Sequence, residues 1–203
     1  MRSHNPADFS SYMGQALNGP SIPANSLPAQ LAGRSIALVG LMGAGKTNIG
    51  RRLAIRLGLP FRDTDLEIEQ EAGCSVAELF ARYGEQDFRD REQRVIHRLL
   101  EGAPSVLATG GGAFMDSCTR AALRERAISI WLRCDLPLLL RRLSVNTDRP
   151  LLRGADPAKI LQRLIAQRYP VYAEADLIID SIDESPDMTT IKAAAMLQVW
   201  LAP

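Results

Sequence analysis

An α/β fold, a parallel sheet covered on both faces by helices, is what this sequence predicts, and three observations carry it. From Ser35 onward, short apolar runs alternate with segments of helical periodicity, the pattern of parallel strands joined by crossover helices. The first of those runs leads directly into Gly-Leu-Met-Gly-Ala-Gly-Lys-Thr, Gly40 to Thr47, which fits the spacing GxxxxGK[ST] between a strand and a helix. The 203 residues suffice for one domain with a substantial core and fall short of two ordinary ones.

Residues 1–32 mix Ser, Asn, Pro and Gly with few large apolar groups, a composition that buries too little surface to offset ordering. They are expected to form a mobile N-terminal extension ahead of a domain over 33–203. The five strands expected are Ser35 to Val39, Pro60 to Arg62, Ser105 to Ala108, Ala127 to Leu132 and Ala175 to Ile179. Between the first two, Ile49, Leu53 and Leu57 recur at four-residue spacing on a helix that Gly58 stops. Ser75 and Glu78 fit a capping box for a short helix ended by Gly84; a longer one follows from Glu85 to Glu101, with Phe88, Val95, Ile96, Leu99 and Leu100 inside. Asp135 opens a helix with Leu139, Leu140 and Leu143 inward. Asp156-Pro157 opens another, which carries Ile160, Leu161, Leu164 and Ile165 and ends at Arg168, before Tyr169-Pro170. A last helix, Asp187 to Trp200, offers Ile191, Ala194, Ala195, Leu197 and Val199 to the sheet. Ser144 to Ala155, polar and arginine-bearing, suits a lid over a phosphate site.

Composition narrows the function. With 24 Lys plus Arg against 23 Asp plus Glu, bulk charge gives no reason to expect nucleic acid or an anionic membrane as partner. Cys74, Cys118 and Cys134 lack zinc or disulfide spacing, and no apolar run reaches bilayer length. A monomeric protein of the cytoplasm is the expectation.

The loop names a nucleotide. Gly40, Gly43 and Gly45 admit backbone conformations closed to other residues, so that successive N–H groups and the helix N-terminus can cradle polyphosphate. Lys46 is expected at the β- and γ-phosphates, and Thr47 at Mg²⁺. The acceptor side must come from elsewhere. Asp63 and Asp65 follow the second strand, where Asp63 suits the water shell of the metal and Asp65 a substrate hydroxyl; the plainer reading is a turn with a helix cap at Asp65. Gly110, Gly111 and Gly112 follow the third strand and expose backbone N–H groups as a floor for a small molecule. Arg89 and Glu92 share a helix face, and Arg89 with Arg168 can grip an anionic acceptor by paired N–H bonds. Arg149, in the lid, can offset charge on the transferring phosphoryl group.

These residues resemble the shikimate kinase family. GLMGAGKTNIG, FRDTDLEIE, GEQDFRDREQRVI, ATGGG, NTDRPLL and QRYPVY follow that family's signatures in order and approximate spacing, over Arg34 to Asp180. The resemblance implies a nucleoside-monophosphate-kinase-like, three-layer fold whose five-stranded parallel sheet has the order 2-3-1-4-5, and transfer of the ATP γ-phosphate to the 3-hydroxyl of shikimate. It assigns ATP to Gly43, Ala44, Gly45, Lys46, Thr47, Asn48, Arg142 and Arg149. Shikimate falls to Asp65, Arg89, Glu92, Gly110, Gly111, Gly112 and Arg168, and Mg²⁺ to Thr47 and, through water, Asp63. Lys46, Asp65 and Arg149 would carry catalysis. The chain departs from the family in reading Lys-Thr-Asn where Lys-Ser-Thr is usual, which leaves Asn48 to alter hydrogen bonds behind the loop. A related kinase on the same scaffold, such as a gluconate kinase, is the alternative.

Overall fold

The computed structural model describes residues 30–144 and 156–202. The expected extension therefore lies outside the described residues except for 30–32, where Leu31 is already buried in the core at 1% exposure. The lid lies outside them too, apart from Ser144.

Five parallel strands form one sheet in the order β2-β3-β1-β4-β5: β1 (Ser35–Val39), β2 (Phe61–Asp63), β3 (Val106–Ala108), β4 (Ala127–Arg133) and β5 (Leu177–Asp180). The central strand is apolar and fully buried because helices cover both of its faces. Registers set Asp63 beside Ala108, Ala108 beside Leu38, and Val39 beside Trp131. The carboxyl ends of β1, β2 and β3 thus share one edge, and the phosphate loop leaves from it.

Around the sheet lie α1 (Lys46–Leu57), α2 (Thr64–Ala72), α3 (Val76–Glu101), α4 (Ser117–Arg126), α5 (Leu136–Ser144), α6 (Pro157–Tyr172) and α7 (Pro186–Leu201). Ile49, Leu53 and Leu57 of α1 are buried, as are Phe88, Val95, Ile96, Leu99 and Leu100 of α3. The capping box forms: Glu78 N–H donates to Ser75 Oγ, and Ser75 N–H to Glu78 Oε2 at 2.9 Å. The Ser75 amide, and then its hydroxyl, hold the Glu78 carboxyl below its ordinary value. At Gly84 the expected break appears as a residue with φ 81° and ψ 177° between two helical halves of α3.

Several expectations are corrected. Helix α6 does not stop at Arg168; it runs through Pro170 to Tyr172. In the last turn the proline costs a single i→i−4 bond, and the packing of Tyr169 and Tyr172 on Trp131 keeps the turn in place. Val199 is 37% exposed and does not cover the sheet, whereas Ala193, Ala194 and Leu197 do. Helix α4 was not expected, and α2 only as the helix that a cap at Asp65 would open. Each buries only two side chains, Thr64 and Ile68 or Thr119 and Leu123, too few to leave a readable apolar stripe. Among the described residues no helix is long and apolar enough to cross a membrane.

Candidate active site

The phosphate loop takes the strained turns its glycines permit, with φ +137° at Gly40, +81° at Gly43 and +93° at Gly45. Gly45 is the N-cap of α1 and supplies no side-chain cap, and the first turn carries no acidic residue. The leading N–H groups therefore keep their capacity for an anion, and the helix dipole favours one. Lys46 Nζ donates to the carbonyls of Gly40 (2.8 Å) and Leu41 (2.9 Å), which holds its ammonium over the loop.

Asp63 does two things. Its Oδ2 accepts from Thr47 Oγ1 at 2.8 Å, and its Oδ1 accepts from the Asp65 amide at 3.2 Å as N-cap of α2. The cap is thus Asp63, and the turn reading that set it at Asp65 is corrected. Asp65 stands one turn-start later, where capping is not required of it. Together Thr47 and Asp63 present hard oxygen donors of the kind magnesium accepts through its waters. Among the described residues no cluster of three His, Cys, Asp or Glu offers a metal cage.

A cavity of about 580 Å³ lies over the loop, lined by Lys46, Thr47, Asn48, Asp65 and Arg142 among others. Arg142 Nη1 donates to Ser181 Oγ (3.0 Å) and the Ala44 carbonyl (3.4 Å), tying β5's end to the loop. At the Asn48 departure, Arg52 donates Nη1–H to Asn48 Oδ1 and Nε–H to Asp187 Oδ1 at 2.8 Å, which links the carboxamide to α7 through Arg52. Arg141, paired with Asp183 at 2.7 Å, also lines this cavity and was not anticipated.

A second cavity, of about 250 Å³, joins the first: Met42, Asp65 and Gly111 line both. Its polar side is Arg89, Glu92 and Arg168 over the three glycines, and its apolar side is Val76, Phe80 and Phe88. Glu92 is 2% exposed and accepts from Arg89 Nη1 at 2.6 Å; its Oε1 has no hydrogen bond among the described residues. Burial pushes the Glu92 carboxyl up against the pull of Arg89, with the Asp65 charge adding to the rise. Burial also works against the Arg89 charge, but Glu92 and then Glu85 outweigh it and hold the guanidinium above its ordinary value.

The glycines serve this site differently from a plain floor of N–H groups. A methyl on Gly110 would overlap Glu92 Oε1, and one on Gly112 would overlap the Arg89 guanidinium. The Gly110 amide donates to Thr64 Oγ1 at 3.0 Å, and the Gly111 carbonyl accepts from Arg168 Nη1 at 2.8 Å. Charged groups crowd onto Gly110 and Gly112, whereas a methyl on Gly111 would meet only ordinary contacts. Of the residues expected at the site, Lys46, Thr47, Asn48, Asp63, Asp65, Arg89, Glu92, Gly110 to Gly112, Arg142 and Arg168 are gathered along one edge; Arg149 lies outside the described residues. Met42, Val76, Phe80 and, as a cavity residue, Phe88 were missed. Their signal is only that of ordinary apolar residues.

With this geometry in hand, comparison with known proteins is specific. The family model described as "Shikimate kinase" matches residues 42–198. A shikimate kinase of Paramagnetospirillum magneticum is 54% identical over 169 residues, 83% of this chain and 87% of that protein. One from Rhodopseudomonas palustris is 50% identical over 92% of both chains. The structure of the Acinetobacter baumannii shikimate kinase in complex with shikimate superposes with a TM-score of 0.81 at 36% identity, covering 87% of this chain and 98% of that one.

Proposed function

The chain belongs to the shikimate kinase family, ATP-dependent enzymes that phosphorylate the 3-hydroxyl of shikimate, and on that premise we propose how its residues divide the work. The loop from Gly43 to Asn48 holds the ATP phosphates with its N–H groups, and Lys46 neutralises the β- and γ-oxygens. Arg142 lies beside the nucleotide. Arg89 and Arg168 grip the acceptor carboxylate, with Glu92 orienting Arg89 and the apolar wall of Phe80 and Phe88 taking the ring face.

Asp65 orients the acceptor hydroxyl and accepts its proton as the new P–O bond forms and the γ-phosphorus bond to the ADP oxygen breaks. That Asp65 lines both cavities is the observation carrying the reading. To Arg149 falls the charge on the transferring phosphoryl group. Mg²⁺ fits the hydroxyl–carboxylate pair of Thr47 and Asp63. When bound it compensates phosphate charge. The reading also makes the chain a cytoplasmic monomer, without nucleic-acid or membrane partners.

The test is ADP release by the purified chain against a panel of hydroxy acids that includes gluconate, repeated with Arg89→Ala. Shikimate is expected as the preferred acceptor. Arg89→Ala is expected to weaken shikimate by about 2 to 4 kcal/mol, because the carboxylate loses a partly buried charged partner, while ATP affinity holds. Equal turnover of gluconate would contradict the proposed acceptor grip, and unchanged shikimate affinity would remove Arg89 from the site.

A further inference from the structure

Four residues apart, Arg168 and Tyr172 lie on one face of the last turn of α6. Tyr172 has 0% exposure, so its phenolic O–H must find its partner inside the protein. That partner is the Gly111 carbonyl, the same oxygen that receives Arg168 Nη1 at 2.8 Å. A carbonyl oxygen has two lone pairs, and here each meets a donor from α6. The rings of Trp131, Phe114 and Tyr169, with centroids 5.8, 6.3 and 6.2 Å from that of Tyr172, surround the phenol and fix where its hydroxyl points.

We propose that Tyr172 is a positioning residue for the acceptor, acting through the shared Gly111 carbonyl on the plane of Arg168. The inference rests on the reading in which Arg168 holds the shikimate carboxylate. A guanidinium is a rigid fork: once one N–H is fixed on Gly111, the direction of the others is set toward the cavity Arg168 lines. Without the Tyr172 hydroxyl, Gly111 can turn its carbonyl away and the fork turns with it. Tyr172 itself lines neither cavity, so it works through these two groups.

Tyr172→Phe keeps the ring and removes the donor. The shikimate KM is expected to rise about three- to tenfold, with kcat and the KM for ATP within about twofold of wild type, the size of one lost hydrogen bond. In an Arg168→Ala background the same change should add less than about twofold, because the group it positions is gone. A wild-type shikimate KM in Tyr172→Phe overturns the assignment. So does an equal rise in both backgrounds, which is what a merely loosened core would give. Arg168→Ala alone separates the two levels: if it leaves the shikimate KM unchanged, the carboxylate reading falls, and this inference with it. If Arg168→Ala raises KM and Tyr172→Phe does not, only the inference falls.

Discussion

A single methyl group on Gly110 or Gly112 tests how tightly the acceptor cavity is built. The atoms it would meet are the carboxylate of Glu92 and the guanidinium of Arg89, ends of long side chains that can swing away. The fold should therefore survive Gly110→Ala and Gly112→Ala, with melting temperatures near wild type, while displacement of the paired charges weakens shikimate by more than about tenfold, since a 2.6 Å charged bond is broken. Normal shikimate affinity in both variants would show the Arg89–Glu92 pair to be irrelevant to the acceptor. Glu92 carries a second test. Its carboxyl is raised above 4.5 by burial, in spite of Arg89, so the folded chain binds that proton more tightly than the unfolded chain does. The resulting stability is complete below the unfolded value and is lost as pH rises through the folded one. Glu92→Gln has no such proton, so its melting temperature relative to wild type should climb with pH across that window and then level. A flat difference would mean the carboxylate is not desolvated. Shikimate affinity should fall in the same variant, since an amide holds Arg89 less firmly.

At the scale of elements, α3 is the one whose shape the site depends on. Val76 and Phe80 precede Gly84, Phe88 and Arg89 follow it, and all four line the acceptor cavity. The break at Gly84 has φ 81° and ψ 177°, a conformation reserved for glycine, and nothing lies within 4 Å of an added Cβ. Gly84→Ala therefore acts through backbone strain alone and is expected to cost about 1 to 3 kcal/mol in urea denaturation. If α3 straightens to relieve the strain, the two halves of the wall separate and the shikimate KM rises while that for ATP holds. Wild-type stability together with a wild-type shikimate KM would refute this. The break was legible in the sequence, since Ser75, Glu78 and Gly84 are local signals that act within one turn. The same holds for β1, α1 and the start of α6 at Asp156-Pro157. What local signals could not give was the end of α6: Pro170 reads as a stop, and only the packing of its neighbours on Trp131 overrides it. Helix α4 escaped, and α2 showed only its cap, for the opposite reason, because each buries only two side chains.

For the whole molecule, the alternation of strands and helices fixes a parallel sheet, but the order β2-β3-β1-β4-β5 came from likeness to a family and not from periodicity. Asp63 and Asp65 were readable because they follow a strand whose end faces the crevice, and Arg89 with Glu92 because they share a helix face. The apolar half of the site was not. Phe80 and Phe88 both line the cavity, and nothing in their spacing sets them apart from ordinary core residues. Nor could spacing reveal that the two ligand cavities meet, which is a property of three strand ends brought side by side. Asp65 is where that meeting can be tested, because it lines both cavities and belongs to neither the phosphate loop nor the guanidinium pair. Asp65→Asn keeps the shape and a hydrogen-bonding side chain but removes the base. Shikimate and ATP should each bind within a few-fold of wild type by calorimetry, whereas kcat should fall by about 10²- to 10⁴-fold, the range for loss of a positioned general base. A near-normal kcat would assign the proton to another group and reduce Asp65 to a wall between two sites that merely adjoin.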